Sequence, residues 1–187
     1  MVRCFVNIDL AEKQKKKIRE LITELEKLDT NIKFVEPENL HLTPRFLGNV
    51  SESELKEVEK GLGKAAEETI PFELKLKGTG VFPNRGYIKV IWIGVEETEE
   101  LKSLKKRVDK YIEVGKRDNR KFIPHVTIGR MKSRKRKEEV LKILDEYQDI
   151  GFGKIKVDEI TVKESILRGS KGPKYEILFE KKLKKDI

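Results

Sequence analysis

The two histidines of this 187-residue chain both begin the same tripeptide pattern, His-x-Thr. They are His41 and His125, followed by Thr43 and Thr127, and they lie 84 positions apart, one in each half of the chain. Because the chain has only eight threonines, this coincidence is hard to obtain by chance. Residues i and i+2 of a β-strand lie on one face, so each motif offers an imidazole beside a hydroxyl.

Two imidazoles and two hydroxyls suit an acid–base reaction at phosphorus. In an in-line displacement the attacking and leaving oxygens lie on opposite sides, so one side needs a base and the other an acid. Imidazole titrates near neutral pH and can fill either role. The hydroxyls of Thr43 and Thr127 can donate to non-bridging phosphate oxygens, and Arg130, three residues after Thr127, can add positive charge. This chemistry calls for no metal ion and no cofactor.

The segments around the motifs are predicted to be strands, at residues 39–48 and 121–130. Amphipathic helices flank both of them, because apolar residues recur there with helical spacing. Helices are predicted over residues 11–28, from a capping box at Ser51 and Glu54 onwards, from Leu101 to Ile112, and over residues 136–148. Further strands are predicted at residues 2–9, 72–77, 87–95, 154–163 and 175–183.

Helix, motif strand and helix thus occur twice in the same order, each time followed by a pair of strands. This order predicts a diverged internal duplication. The fold class is α+β, with helices on the outer faces of mainly antiparallel sheets. Since no linker-like segment divides the chain, residues 1–187 are predicted to form a single domain with two lobes.

The composition of the chain indicates its type of partner and its cellular compartment. A net charge of +9 predicts a polyanionic partner, and 40% charged residues with few labile side chains is typical of thermophile proteins. A lone Cys4 excludes an intramolecular disulfide and fits a reducing cytosol, so we expect a cytoplasmic protein. Apolar runs are too short for a membrane span, and the first residues show no signal-peptide pattern.

A basic cluster follows the second motif and has two interpretations. It can contact RNA, or it can be a solvated loop and helix start. Base recognition is equally open, because the candidate stacking residues can also be core or loop residues. The cluster is Lys132, Arg134, Lys135, Arg136 and Lys137, and the stacking candidates are Phe46, Phe82, Arg85 and Tyr87.

With these residues in view, the chain resembles the two-histidine (2H) phosphoesterase superfamily. Within it, the chain is similar to the archaeal and bacterial RNA 2′,3′-cyclic phosphodiesterases, long called 2′-5′ RNA ligases. The resemblance covers nearly the whole length. Its supporting stretches are FVEPENLHLTPRFLG at 34–48, GVFPNRGYIKVIWIGV at 80–95, FIPHVTIGR at 122–130 and SILRGSKGPKYEIL at 165–178.

The resemblance implies a bilobal fold with two mainly antiparallel sheets around a central cleft, one motif from each lobe and pseudo-twofold symmetry. It implies hydrolysis of 2′,3′-cyclic phosphate RNA ends to 2′-phosphomonoesters, and nucleotide-independent joining of tRNA halves through a 2′-5′ linkage. His41, Thr43, His125 and Thr127 match the family motifs, and Arg130 matches a basic residue that closes the second motif in many relatives. We therefore expect a cytoplasmic monomer that acts on RNA ends, with tRNA fragments as substrates.

One position departs from the family pattern. Position 44, usually a large apolar residue, is Pro44. Proline cannot donate a ladder hydrogen bond, so we expect this strand to be bulged or at an edge locally. Proline also favours an extended conformation at Thr43, so altered pairing is expected rather than a lost site.

Two alternatives of different classes stay open. One is another 2H enzyme that acts on a small cyclic nucleotide phosphate or on 2′-5′ oligonucleotides. The other is a non-catalytic RNA-binding module, whose affinity falls steeply with salt. A nucleotide-driven ligase and a P-loop enzyme are disfavoured, because the sequence contains neither Lys-x-Asp-Gly nor GxxxxGK[ST]. Two distant histidines and one cysteine are also a poor ligand set for a zinc hydrolase.

Overall fold

The computed structural model of the protein describes residues 1–169 and 172–184. Strands and helices are numbered here in chain order. The strands are β1 (Val2–Asp9), β2 (Ile32–Phe34), β3 (His41–Val50), β4 (Phe72–Asn84), β5 (Tyr87–Val95), β6 (His125–Met131), β7 (Gly151–Val157), β8 (Glu159–Leu167) and β9 (Pro173–Lys182). The α-helices are α1 (Glu12–Glu26), α2 (Glu52–Glu67), α3 (Glu99–Tyr111) and α4 (Lys137–Glu146), and a 3₁₀ turn spans Pro37–Asn39.

The nine strands of the described residues form one antiparallel sheet with a narrow waist. Their order is β7-β4-β5-β6-β3-β1-β8-β9, and the short β2 pairs with β6. At the waist, β3 and β6 are joined through the residue pair Leu42–Val126. The two sheets expected from the sequence are therefore two halves of one sheet. The β3 lobe contains β3, β1, β8 and β9, and the β6 lobe contains β6, β5, β4, β7 and β2.

The helices pack on both lobes in an exchanged pattern. Helices α2 and α3 pack together, with α2 against β8 and β9 and α3 against β3, whereas α1 packs against β7 and α4 against β4. Each motif strand is thus preceded by a helix that packs on the other lobe and followed by a helix of its own lobe. This repeated exchange supports the predicted duplication and ties the lobes together.

Burial alternates along the strands, as expected for a sheet with helices on one face. In β1, Cys4, Val6 and Ile8 belong to the hydrophobic core. Phe5 and Asp9 point to the opposite face, together with the motif side chains. We call that second face the cleft face.

Several observed elements differ from the predicted ones. Residues near 154–163 do not form one strand: Asp158 interrupts them, so β7 pairs with β4 and β8 pairs with β1 in the other lobe. The strand predicted at 39–48 begins only at His41, because the preceding residues form the 3₁₀ turn. The strand predicted at 121–130 begins only at His125, since Pro124 has no N–H to donate to a ladder. The strand predicted at 72–77 continues to Asn84. Strand β2 was not predicted, since three residues carry too little periodicity. The capping box of Ser51 and Glu54 is confirmed at the start of α2.

Within the described ranges, no helix is long and apolar enough to cross a membrane.

Candidate active site

The two motifs meet side by side at the waist of the sheet. Leu42 pairs with Val126 in antiparallel register. The same register sets His41 opposite Thr127 and Thr43 opposite His125, with all four side chains on the cleft face. The chain therefore brings together the four residues that the motifs predicted, with each histidine diagonal to the other.

The two motif strands share one burial pattern. The seven residues from His41 and the seven from His125 follow the same sequence of half-buried, buried and exposed positions. In both, the histidine and the threonine are half-buried, so they are reachable from the cleft. In the described part of the chain neither threonine hydroxyl has a hydrogen-bond partner, which leaves Thr43 and Thr127 free to donate to a ligand.

A β-bulge follows each threonine. In the β1–β3 ladder the register shifts between Val6 and Ile8, which leaves an extra residue at Thr43–Pro44. In the β5–β6 ladder it shifts between Ile91 and Trp92, and the extra residue is Ile128. The altered pairing expected at Pro44 is confirmed. Since Ile128 occupies the same place in the second motif, however, the bulge belongs to both motifs and does not depend on proline.

Each imidazole is oriented by a backbone carbonyl two residues before it. Nδ1 of His41 lies 2.6 Å from the carbonyl oxygen of Asn39, and Nδ1 of His125 lies 2.7 Å from that of Ile123. A carbonyl can only accept, so Nδ1 carries the proton in both rings. This tautomer leaves Nε2 of each ring as the atom that can take or give a proton to a ligand.

Aromatic side chains flank both histidines. His41 lies 4.9 Å from Phe5 and 5.3 Å from Tyr175 between ring centroids. His125 lies 5.0 Å from Phe82 and 5.9 Å from Trp92. These rings hold the imidazoles in place and exclude water from one side of each.

Burial changes the protonation of the histidines. Loss of hydration lowers the pKa of His41 to about 4, although its hydrogen bond to Asn39 opposes the change. Burial also lowers the pKa of His125, and the positive charge of Arg130 lowers it further. His125 contributes to the lowered pKa of His41, which places the two rings within electrostatic range of each other. Both rings are therefore neutral at pH 7.

Positive side chains surround the histidines. In the β5–β6 ladder Val90 pairs with Arg130 and Trp92 with Thr127, so Arg130 shares the cleft face with Thr127. Arg130 is exposed and, within residues 1–169 and 172–184, forms no ion pair with a carboxylate. The pKa of Tyr175 is raised by burial and is influenced by the charges of Arg130 and Arg3, which places both guanidinium groups near that ring.

The β3 lobe adds an ion pair beside His41. Nζ of Lys163 lies 2.6 Å from the carboxylate of Asp9, and Asp9 is the strand partner of His41. Both charges act on the pKa of His41, Lys163 lowering it and Asp9 raising it. The cleft thus offers two neutral imidazoles, two free hydroxyls and an excess of positive charge, an arrangement suited to a phosphate ester.

Several side chains of the site were not identified from the sequence. Phe5, Trp92 and Tyr175 reach the histidines only through long-range strand pairing, which no local pattern reveals. Phe82 was named among the stacking candidates but without a position. Among the described residues, no group of three or more His, Cys, Asp and Glu side chains is arranged to hold a metal ion.

Comparison with known proteins agrees with this geometry. The family model of LigT-like phosphoesterases matches the chain twice, over residues 8–92 and 93–175, and each match contains one His-x-Thr motif. An RNA 2′,3′-cyclic phosphodiesterase of Methanothermobacter thermautotrophicus is 36% identical over 175 residues, which is 93% of this chain and 95% of that protein. One from Archaeoglobus fulgidus is 38% identical and covers 95% of this chain and 98% of its own length.

Solved structures show the same architecture. A crystal structure of a Thermus thermophilus protein is 27% identical, covers 97% of both chains and superposes with a TM-score of 0.78. The apo form of E. coli LigT covers 98% of both chains, with a TM-score of 0.75 at 24% identity. The bilobal α+β fold predicted from the sequence is confirmed by these neighbours.

Proposed function

Because the chain belongs to the LigT-like phosphoesterase family, we propose that it is an RNA 2′,3′-cyclic phosphodiesterase that opens the cyclic phosphate to a 2′-phosphomonoester. Full-length relatives with that name support the activity. One observation in this chain carries the proposal: two imidazoles with Nδ1 bound to a carbonyl and Nε2 available stand diagonally across from each other, each opposite a free hydroxyl.

In the proposed mechanism His125 is the base and His41 the acid. Nε2 of His125 takes a proton from water as the water oxygen forms a bond to phosphorus. The bond between phosphorus and O3′ breaks, its electron pair stays on O3′, and Nε2 of His41 gives O3′ a proton. The product carries a 2′-phosphate and a free 3′-hydroxyl.

The remaining residues stabilise charge on the phosphate. The hydroxyls of Thr43 and Thr127 donate to the two non-bridging oxygens, one from each lobe, and Arg130 adds a cation on the same face. Preorganised donors of this kind act most strongly where charge develops in the transition state.

Phosphate binding also prepares the acid. His41 is neutral in the free protein because burial lowers its pKa to about 4. A nearby anionic phosphate favours the charged imidazolium and raises that pKa. The substrate thus helps to protonate the residue that must donate to O3′.

The proposal also covers the RNA substrate, the oligomeric state, the cellular compartment and a second activity. We include tRNA fragments as substrates, action as a monomer in the cytoplasm, and ligation of tRNA halves through a 2′-5′ linkage without nucleotide. Ligation follows the same course as hydrolysis with the 5′-hydroxyl of the second RNA in place of water: Nε2 of His125 takes the proton of that hydroxyl, its oxygen bonds to phosphorus, and Nε2 of His41 protonates the departing O3′. The buried free thiol of Cys4 suits a reducing compartment.

The direct test is hydrolysis of an RNA oligomer that ends in a 2′,3′-cyclic phosphate, in EDTA and without nucleotide. The wild type should form the 2′-phosphate, and His41→Ala and His125→Ala should each lose at least about 100-fold in kcat, the scale of one general acid or base. Folding of both variants is checked by their thermal unfolding. A folded wild type that turns over no cyclic end contradicts the proposal, and small cyclic nucleotides and 2′-5′ oligonucleotides would then be assayed.

A further inference from the structure

An exposed tyrosine lies near two cations at the tip of the β4–β5 hairpin. Tyr87 is 46% exposed. Nζ of Lys89 lies 5.2 Å from the centroid of its ring, and the guanidinium carbon of Arg134 lies 5.6 Å from it. Both distances fall within the range of a cation–π contact. We call these three side chains the Tyr87 platform.

The platform lies on the same face of the sheet as the catalytic side chains. Tyr87 pairs with Asn84, and Asn84 is two residues from Phe82 on β4, so all three share a face. The ring of Phe82 lies 5.0 Å from that of His125. A nucleic-acid strand bound in the cleft can therefore continue along this face of the sheet to the platform.

The two cations of the platform are available to a ligand, whereas most of the nearby cations form ion pairs. Arg134 and Lys89 form no ion pair with any carboxylate of the described ranges, and both are exposed. Four neighbouring cations are paired: Lys135 with Asp29, Arg136 with Glu139, Lys137 with Glu138 and Arg85 with Asp145. The basic cluster is thus divided, and its unpaired arginine is the one that stacks on Tyr87.

The spacing from the cleft fits a nucleic-acid strand. Trp92, opposite Thr127, is five residues from Tyr87 along β5, which amounts to about 16 Å at about 3.3 Å per residue. Stacked nucleotides advance about 3.4 Å each, so the platform is about five nucleotides from the phosphate that reacts, and fewer in an extended strand. Arg130 lies between the two points on the same face.

We propose that Tyr87 stacks on a nucleobase a few nucleotides 5′ of the cyclic end, while Arg134 and Lys89 bind the adjoining phosphates. The inference rests on the proposed function, because a 2′,3′-cyclic phosphate is a 3′ terminus and the rest of the RNA must leave the cleft in the 5′ direction. An aromatic face flanked by cations is the usual surface for single-stranded nucleic acid. The preferred substrate is then an oligonucleotide rather than a mononucleotide.

The test compares two substrates, an RNA octamer with a cyclic end and adenosine 2′,3′-cyclic phosphate. Tyr87→Ala should raise KM for the octamer about tenfold, the scale of one stacked base, and leave KM for the mononucleotide unchanged. Tyr87→Phe should keep the wild-type KM for both. Arg134→Ala should also raise KM for the octamer. It should reduce the slope of log KM against log salt by about 0.7, as expected for one lost phosphate contact.

Lys135→Ala is the matched control, since it removes a charge of the same cluster that is paired with Asp29. An octamer KM that is unchanged in both Tyr87→Ala and Arg134→Ala contradicts the platform, while wild-type turnover of both substrates still supports the proposed function. A KM that rises equally for both substrates also contradicts it, since the effect then reaches the cleft itself. If the wild type cleaves neither substrate, octamer binding by the same variants is measured by fluorescence anisotropy. Weaker binding by Tyr87→Ala and Arg134→Ala supports the platform, and unchanged binding contradicts it.

Discussion

The β3 and β6 lobes hold the same reactive group in different surroundings. Both place His-x-Thr before a β-bulge, and both bind Nδ1 to the carbonyl two residues earlier. Around His41 lie Phe5, Tyr175 and the Asp9–Lys163 ion pair, whereas Phe82 and Trp92 surround His125. The lobes thus share the reactive group and differ in the rings and charges around it, and the proposed division into one acid and one base rests on that difference.

The lobes also differ at the position after the bulge, where the β3 lobe has Arg45 and the β6 lobe has Gly129. Arg45 is buried, and its guanidinium donates to the carbonyls of Ile112 and Val114 at the end of α3. At Gly129 an added Cβ would lie 2.9 Å from a methyl of Ile32 in β2. Arg45 thus holds the loop after α3 by hydrogen bonds, whereas Gly129 lets β2 pack closely because it has no side chain.

Arg45→Ala should have the largest effect on stability. It leaves buried carbonyls without a donor, which should cost about 2–4 kcal/mol of the free energy of unfolding. Gly129→Ala, its counterpart, should cost about 1–3 kcal/mol through crowding against β2. Denaturant unfolding of both variants measures this. Equal stability of wild type and Arg45→Ala would show that the guanidinium does not hold the loop after α3.

The two threonines should matter equally if the lobes are equivalent around the phosphate. Thr43→Val and Thr127→Val keep the shape and remove the hydroxyl, so each should lower kcat about 10- to 100-fold with little change in KM, because the donors act mainly on the transition state. Steady-state kinetics with a cyclic-ended oligomer checks this. A loss confined to one variant would restrict the charge-stabilising role to that lobe.

The pH profiles of kcat/KM and kcat report the pKa values of the histidines in the free enzyme and in the substrate complex, respectively. The proposed mechanism needs one neutral and one protonated histidine, and burial lowers both pKa values, that of His41 to about 4. The maximum of kcat/KM, which reflects the free enzyme, should therefore lie between about pH 4 and 6.5 and fall towards alkaline pH as the acid loses its proton. The profile of kcat should lie at higher pH, because bound phosphate raises both pKa values. A kcat/KM maximum above pH 7 would contradict the lowered pKa values.

The smallest effect is expected for Pro44→Ile, which gives the first motif the residue that the second has at Ile128. The bulge exists at Ile128 without proline, so kcat should stay within about twofold and the free energy of unfolding within about 1 kcal/mol. Activity and unfolding assays check both. A loss of activity as large as that of the threonine variants would mean that the first bulge requires proline.

The sequence predicted the parts of this molecule that depend on local pattern. Strands 2–9 and 87–95 and the capping box of Ser51 were placed correctly, and the two motifs identified the four residues that meet at the waist. The break at Asp158 was missed, because β7 and β8 are adjacent in sequence and differ only in the lobe that they join.

Long-range pairing accounts for the rest of what the sequence did not predict. Tyr175 comes to His41 from β9, and Trp92 comes to His125 through register with β6, so neither could be inferred from spacing. Which residues of the basic cluster are bound to carboxylates could be known only from the structure. Lys135 then proved to be bound to Asp29, whereas Arg134 lies over Tyr87.

The most direct test of the central claim, that the two histidines act on opposite sides of one phosphorus, uses a cyclic substrate with sulfur in place of the bridging 3′ oxygen. Sulfur leaves without protonation, so the account predicts that His41→Ala recovers activity on this substrate while His125→Ala stays inactive. Rescue of His125→Ala alone would reverse the acid and base roles. Rescue of both variants, or of neither, would contradict the division of acid and base between the two lobes.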